Sequence, residues 1–171
     1  MQAVRVHEFG EAGVLGLEEI PLPDPGPGQV RVRAGAIGVN YADTLRRAGR
    51  TAASLALPWT PGSEVAGEVD AIGVGVKEIS PGDRVASRSA VGAYAEYSLA
   101  DADSIIPLPP DVSYETAAGV LNQGMTAHAL ARDAVRLSAG DFALVHAAAG
   151  GVGLLLVQIL VDRTAASRRE R

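Results

Sequence analysis

The segment with the clearest chemical character is the glycine-rich stretch HAAAGGVGLLLVQIL at residues 146–160. Ala148, Gly150 and Gly153 lie at the spacing of the G-x-G-x-x-G dinucleotide fingerprint, with alanine in place of the first glycine. A strand at 142–147 followed by a helix would present the N-terminus of that helix to the phosphates of a dinucleotide. The alternative is a tight turn between strand and helix that needs small residues only for packing.

Short strands separated by turns fill most of the chain before this motif. Alternating apolar and polar residues predict strands at 2–9, 17–20, 29–40, 63–76, 83–87, 92–100 and 104–109. In the third of these strands, Val30 and Val32 are expected to face the core. A short helix is predicted at 40–49, with Gly49 as its C-terminal cap, and a longer one at 113–135, with Ser113 as its N-cap. Many short strands at this spacing are typical of a barrel.

The order of these elements indicates an α/β fold with a β-barrel, in which the barrel precedes the first βα unit of a nucleotide-binding domain. We expect a barrel domain at 1–112, linking helices at 113–139, the start of the nucleotide-binding domain at 140–161 and a tail at 162–171. Residues 142–161 carry no charged side chain, but the glycines in the middle favour a strand, a turn and a helix over a membrane span.

Composition excludes several classes of partner and site. The net charge of −5 and the pI near 5.2 provide no basic surface for nucleic acid or for an anionic membrane. The absence of cysteine excludes disulfides and thiolate metal sites. The first residues, MQAVRVHEFG, carry charges within a short alternating stretch, unlike a signal peptide, so a cytoplasmic location is expected.

Five segments occur along the chain in the order GVNYADTLRRAG, PGSEVAGEVDAIGVGVKEISPGDRV, GAYAEY, LNQGMTAHAL and GDFALVHAAAGGVG. Together they resemble the zeta-crystallin-like NADPH:quinone oxidoreductases of the medium-chain dehydrogenase/reductase superfamily. The resemblance implies a GroES-like barrel that holds the substrate and a Rossmann domain that holds NADPH. It also implies hydride transfer between the nicotinamide and a quinone or conjugated enone in the cleft between the domains.

The resemblance extends to the residues of the site. Asn40 and Thr126 would lie beside the nicotinamide, and Tyr41 is a further catalytic candidate at the same helix entrance. Asp43, in the same entrance, has a structural alternative, because it could simply cap the helix. The phosphates of the cofactor would contact the glycine-rich turn formed by Ala148, Ala149, Gly150, Gly151, Val152 and Gly153.

Two departures from the family pattern bear on the chemistry. Zinc-dependent relatives carry a histidine where this chain has Ser63, together with cysteine ligands, so we expect no metal. The three histidines, His7, His128 and His146, are expected to be packing or surface residues. Quinone reductases often place a tyrosine a few residues after the asparagine, and Leu45 stands in one such position, which leaves the substrate class open.

The sequence after Leu160 also departs from the family. There the helix leads into a second strand that ends in the ribose-binding residue, whereas this chain reads VDRTAASRRER. We therefore expect a truncated Rossmann domain, and the missing ribose-binding residue means that the sequence predicts no preference between NADH and NADPH. We also expect the apolar segment at 142–161 to associate with a second copy or a partner. Two other functions stay open: a non-redox lyase or cyclase that uses the barrel cleft, and a non-catalytic fragment or interaction protein. We favour the reductase for the lineage and a non-catalytic role for the isolated chain.

Overall fold

The computed structural model describes residues 1–51, 56–134, 137–138 and 140–169, with side chains as far as Val161. The strands are β1 (Gln2–Val6), β2 (Leu15–Glu19), β3 (Gln29–Gly38), β4 (Glu64–Ile72), β5 (Arg84–Ser87), β6 (Tyr97–Asp101) and β7 (Ile106–Pro107). The α-helices are α1 (Tyr41–Arg47), α2 (Tyr114–Ala129) and α3 (Gly151–Arg169), and a π-helical turn, Leu130–Ala134, follows α2. The chain divides into two compact units, Met1–Gly119 and Val120–Arg171.

In the first unit the strands form two antiparallel groups. β1 pairs with β2, and the other five strands form one sheet in the order β6-β3-β4-β5-β7. Backbone hydrogen bonds from Val4 to Tyr94 and between Val6 and Trp59 join β1 to segments beyond its own partner. Each predicted strand of this region is present, although several are shorter than predicted at one or both ends.

The core of the first unit consists of the inward-facing residues of the sheet. Val30 and Val32 on β3 are fully buried, as their alternation predicts. Arg31, which lies between them, directs its guanidinium away from this core to Asp70, at 2.6 Å. The two valines pack with Val65, Val69 and Val85 from β4 and β5. The period of two in the sequence therefore sets which face of β3 is buried.

Both predicted helix caps are confirmed. Gly49 follows α1 with a left-handed φ of 75°. The N–H groups of Gly49 and Arg50 each donate to a carbonyl of the last turn of α1 at 2.9 Å, which is a Schellman motif. At the start of α2, the hydroxyl of Ser113 accepts the N–H of Thr116 at 3.1 Å. Helix α1 therefore begins and ends at defined residues, which places Asn40 at its N-cap.

The second unit contains the end of α2, the π-helical turn and α3. The predicted strand at 142–147 is wrong, because residues 141–145 have no regular secondary structure and 146–149 form a turn. A parallel strand needs hydrogen-bonded neighbours, and the described residues of this unit provide none. Consequently Phe142 is fully exposed and Leu144 is 83% exposed. Among the described residues, no helix combines the length and the apolar character that crossing a membrane requires.

Candidate functional site

Asn40 lies at the junction between β3 and α1. β3 ends at Gly38, and Asn40 adopts an extended conformation as the N-cap of α1. Its Nδ2 donates to Oε2 of Glu64 at 2.8 Å. The two residues are only 7% and 0% exposed. Because a carboxylate can only accept, this contact fixes the orientation of the Asn40 carboxamide, with its NH₂ group toward Glu64.

Asp43, in the first turn of α1, connects Asn40 to Tyr94. Its Oδ2 accepts the backbone N–H of Asn40 at 3.0 Å and the hydroxyl of Tyr94 at 3.1 Å. The first contact is one half of a capping box, so the capping interpretation of Asp43 is confirmed. Burial raises the pKa of Tyr94 well above its ordinary value, and the negative charge of Asp43 and the hydrogen bond to it raise this pKa further. Tyr94 therefore stays protonated and donates to Asp43 at neutral pH.

Glu64 and Tyr94 were not predicted from the sequence to lie in this site. Gly38 is the register partner of Glu64 between β3 and β4, and a side chain at Gly38 would overlap the Glu64 carboxylate. Gly62, with a φ of 90°, leaves room for the ring of Tyr94 in the same way. The sequence signal that could have pointed to these two residues is a glycine at each place where a large side chain from another segment crosses the backbone. The pairing register was needed to identify those side chains.

Thr126, which is predicted to lie beside the nicotinamide, and Tyr41, the further catalytic candidate, lie in different units. Tyr41 is the first residue of α1 and is 77% exposed. Thr126 is exposed on α2, and its hydroxyl donates to the carbonyl of Asn122 in the same helix at 3.0 Å. Asn40 and Tyr41 thus belong to the first unit, whereas Thr126 and the glycine-rich turn belong to the second. The roles of these residues stay predictions.

The glycine-rich turn reverses the chain directly before α3. Ala147 has a left-handed φ of 51°, and its carbonyl accepts the N–H of Gly150 at 2.9 Å. A side chain at Gly153 would overlap the carbonyl of Ala147 and the backbone of Ala148. At Gly150, a Cβ would meet only the Ala147 carbonyl oxygen among the described residues, at 3.3 Å. Gly153 is therefore required for packing within the turn, whereas Gly150 leaves the backbone approachable from outside.

Within the residues that the structure describes, no three His, Cys, Asp or Glu side chains form a group that could hold a metal ion. Ser63, in the position of the histidine of zinc-dependent relatives, accepts the N–H of Ala90 with its backbone carbonyl at 2.9 Å. His7 is exposed and contacts Glu18 between Nε2 and Oε1 at 2.6 Å. The lack of a metal in the working protein stays a prediction.

Several known proteins that are similar to this chain are named quinone oxidoreductases. Residues 26–110 match the family model described as the alcohol dehydrogenase GroES-like domain. The mouse quinone oxidoreductase is 42% identical over 161 residues, which are 93% of this chain and 49% of the mouse protein. The quinone oxidoreductase of Pseudomonas aeruginosa is 42% identical over 151 residues, which are 88% of this chain and 46% of that protein. The chain spans about half the length of the relatives that it matches.

Solved structures agree with these relatives. The Escherichia coli quinone oxidoreductase in complex with NADPH matches with a TM-score of 0.91 and 36% identity, over 96% of this chain and 50% of that one. A mycobacterial protein in complex with NADPH matches with a TM-score of 0.91 and 46% identity, over 96% of this chain and 51% of that one. The predicted fold class, a GroES-like domain in an α/β protein, is confirmed. The chain therefore belongs to the zeta-crystallin-like quinone oxidoreductase family of the medium-chain dehydrogenase/reductase superfamily.

Proposed function

We propose that this chain supplies the substrate domain and the pyrophosphate-binding turn of an NADPH-dependent oxidoreductase that reduces quinones or conjugated enones without a metal. The observation that carries the proposal is the turn before α3, in which Gly150 leaves the backbone approachable and Gly153 permits close packing. The relatives support it, since the mouse protein is named a quinone oxidoreductase and the Escherichia coli enzyme was solved with NADPH.

The residues of the turn fit the pyrophosphate of NADPH. α3 begins at Gly151 and is 19 residues long. The first N–H groups of a helix have no partner within the helix, and its dipole favours an anion at this end. The amides of Gly151, Val152 and Gly153 are those that would bind the phosphate oxygens. The small side chains of Ala148 and Ala149 keep the approach to these amides open.

The chain contributes position and hydrogen bonds to the reaction. NADPH, when bound, supplies a hydride to an electron-poor carbon of the quinone or enone. Asn40 and Thr126 are assigned beside the nicotinamide by the resemblance, and Tyr41, exposed at the start of α1, is a candidate for substrate contact. The carboxamide of Asn40 is already held by Glu64, so its orientation is set before a ligand binds. Hydrogen-bond donors that are held in place in this way stabilise the oxygen of the quinone or enone, on which negative charge develops during the reaction.

The second unit needs a partner for this function. Its apolar side chains are exposed at Phe142, Leu144, Leu154 and Val161. Exposed apolar groups of this size favour association. We infer that a second copy of the chain or a partner protein covers the segment 142–161.

Gly150→Val tests the cofactor assignment. The branched side chain would block the approach of the pyrophosphate, so NADPH affinity should fall at least about tenfold while the circular dichroism spectrum is unchanged. Gly119→Val on α2 is the control, because an added side chain there meets open space, and its affinity should equal that of the wild type. NADPH fluorescence titration measures both variants in a fusion to the C-terminal half of a homologous quinone oxidoreductase, for which micromolar affinity is expected.

Two results would contradict the proposal. Equal affinity in Gly150→Val and wild type would show that the turn serves packing alone. Turnover of an unsaturated carbonyl without NADPH would instead support the lyase or cyclase alternative.

A further inference from the structure

Four polar residues of the first unit, Tyr94, Asp43, Asn40 and Glu64, form one series of hydrogen bonds, and Asn40 takes part through both its backbone and its side chain. Tyr94 donates to Asp43 at 3.1 Å, Asp43 accepts the backbone N–H of Asn40 at 3.0 Å, and Asn40 donates to Glu64 at 2.8 Å. Asp43 and Glu64 are 4% and 0% exposed. Buried carboxylates are unfavourable unless they are hydrogen-bonded. Both carboxylates of this series direct hydrogen-bond acceptors at the same asparagine.

Helix capping alone does not explain this arrangement. The capping box accounts for the contacts between Asn40 and Asp43, but Asp43 is buried and its Oδ1 has no hydrogen-bond partner among the described residues. An unsatisfied buried oxygen is destabilising. Glu64 contacts the carboxamide of Asn40 rather than its backbone. A side chain at Gly38 would overlap Glu64, and one at Gly62 would overlap Tyr94, so the series requires glycine at both positions.

We propose that Asp43, Glu64 and Tyr94 are positioning residues that fix Asn40 for its contact with the nicotinamide. Glu64 orients the carboxamide of Asn40. Asp43, itself held by the hydroxyl of Tyr94, fixes the backbone amide of Asn40 at the start of α1. This role rests on the proposed function, because the contact between Asn40 and the nicotinamide is assigned there.

The amide protons of Asn40 report directly on this series. The sequence contains two asparagines, Asn40 and Asn122, so ¹⁵N-asparagine labelling yields two pairs of side-chain amide signals, and Asn122→Ser identifies the pair from Asn40. Glu64→Leu should speed exchange of the Asn40 side-chain protons with water at least about tenfold. Glu64→Gln retains an accepting oxygen and should restore most of the protection.

Tyr94→Phe tests the other end of the series. Removing the hydroxyl frees the Asp43 carboxylate to move, so the backbone N–H of Asn40 should exchange about fivefold faster. Tyr97→Phe is the matched control, because the ring of Tyr97 contacts the guanidinium of Arg31 and phenylalanine retains that ring, so exchange should be unchanged. Circular dichroism establishes that each variant is folded. Wild-type exchange rates in folded Glu64→Leu and Tyr94→Phe would overturn the positioning role.

Adding NADPH separates this role from the function on which it rests. At millimolar concentration, NADPH should shift the Asn40 side-chain signals in the wild type and in Glu64→Gln, and shift them less in Glu64→Leu. Equal shifts in all three proteins would overturn the positioning role while the cofactor assignment stands. If no Asn40 signal shifts in the wild type, the assignment of Asn40 to the nicotinamide is wrong. The positioning role then fails through that premise, whatever the exchange rates show.

Discussion

The sheet around β3 and the segment 142–147 use the same kinds of apolar residue with opposite results. In Met1–Gly119, Val30, Val32 and Val65 are fully buried. In Val120–Arg171, Phe142 and Leu144 are exposed, although their segment is at least as apolar as β3. Apolar composition and alternation thus indicate which residues can be buried, whereas packing against other segments of the chain decides which of them are buried.

The reason lies in the backbone. β3 pairs with β4 on one edge and with β6 on the other, so its polar groups are satisfied and its inward face meets other strands. Residues 141–145 form no ladder with any described residue, so an extended conformation would leave their backbone groups unpaired. The predicted site residues also differ in their partners. The side chain of Asn40 is held by Glu64 on β4, whereas the hydroxyl of Thr126 bonds within its own helix.

The largest effect is expected from a charge in the paired region. Val32→Asp would bury an uncompensated carboxylate and cost at least about 5 kcal/mol, comparable with the whole stability of a small domain. Leu144→Asp places the same charge on an exposed side chain and should change the free energy of unfolding by less than about 0.5 kcal/mol. Urea unfolding followed by circular dichroism measures both. Equal stability of the two variants would refute the contrast in burial between the sheet around β3 and the segment 142–147.

The next effect concerns the exposed apolar segment. Phe142→Ser combined with Leu144→Ser removes two side chains whose burial contributes about 1.5 to 3 kcal/mol each, so self-association should weaken at least about 100-fold. Sedimentation velocity over a range of concentrations measures this change. Leu17→Ser, at an exposed leucine on β2, is the control and should leave association as it is in the wild type.

Covering the apolar segment 142–161 with another polypeptide should also reduce self-association. A fusion to the C-terminal half of a homologous quinone oxidoreductase should be monodisperse. It should also bind NADPH in the micromolar rather than the millimolar range, a gain of about 4 kcal/mol. A monodisperse wild-type chain whose NADPH oxidation equals that of the fusion would contradict the need for a partner.

The smallest effect is expected at Tyr94. Tyr94→Phe removes a hydrogen bond to Asp43 and should lower the free energy of unfolding by about 1 kcal/mol at pH 8. The raised pKa of Tyr94 means that this contribution is complete below the pKa of an unfolded tyrosine, about 10. It is lost as the pH rises through the folded-state pKa. The difference between wild type and variant should therefore shrink from pH 8 to pH 11 in guanidinium unfolding, and a constant difference would be inconsistent with the raised pKa.

Local features were predictable from the sequence because they depend on neighbours along the chain. Gly49 ends α1 and Ser113 caps α2 as predicted, since each cap is formed by residues within one helical turn. The burial of Val30 and Val32 followed from the period of two along a strand. The family followed from five motifs in a characteristic order, and the relatives confirm it.

The contacts of Asn40 and the state of residues 142–147 were decided by tertiary structure. Asn40 meets Glu64, 24 residues away, and Asp43 meets Tyr94, 51 residues away, because strand register and the space at Gly38 and Gly62 bring them together. Residues 142–147 have the apolar character of a buried strand, but a strand forms only where another backbone can accept and donate its hydrogen bonds. The sequence alone determined which residues suit a strand, and it determined the helix caps, which need only neighbours along the chain. Pairing between distant segments decided which of the predicted strands formed, since backbone hydrogen bonds and burial both require a partner that local sequence does not specify.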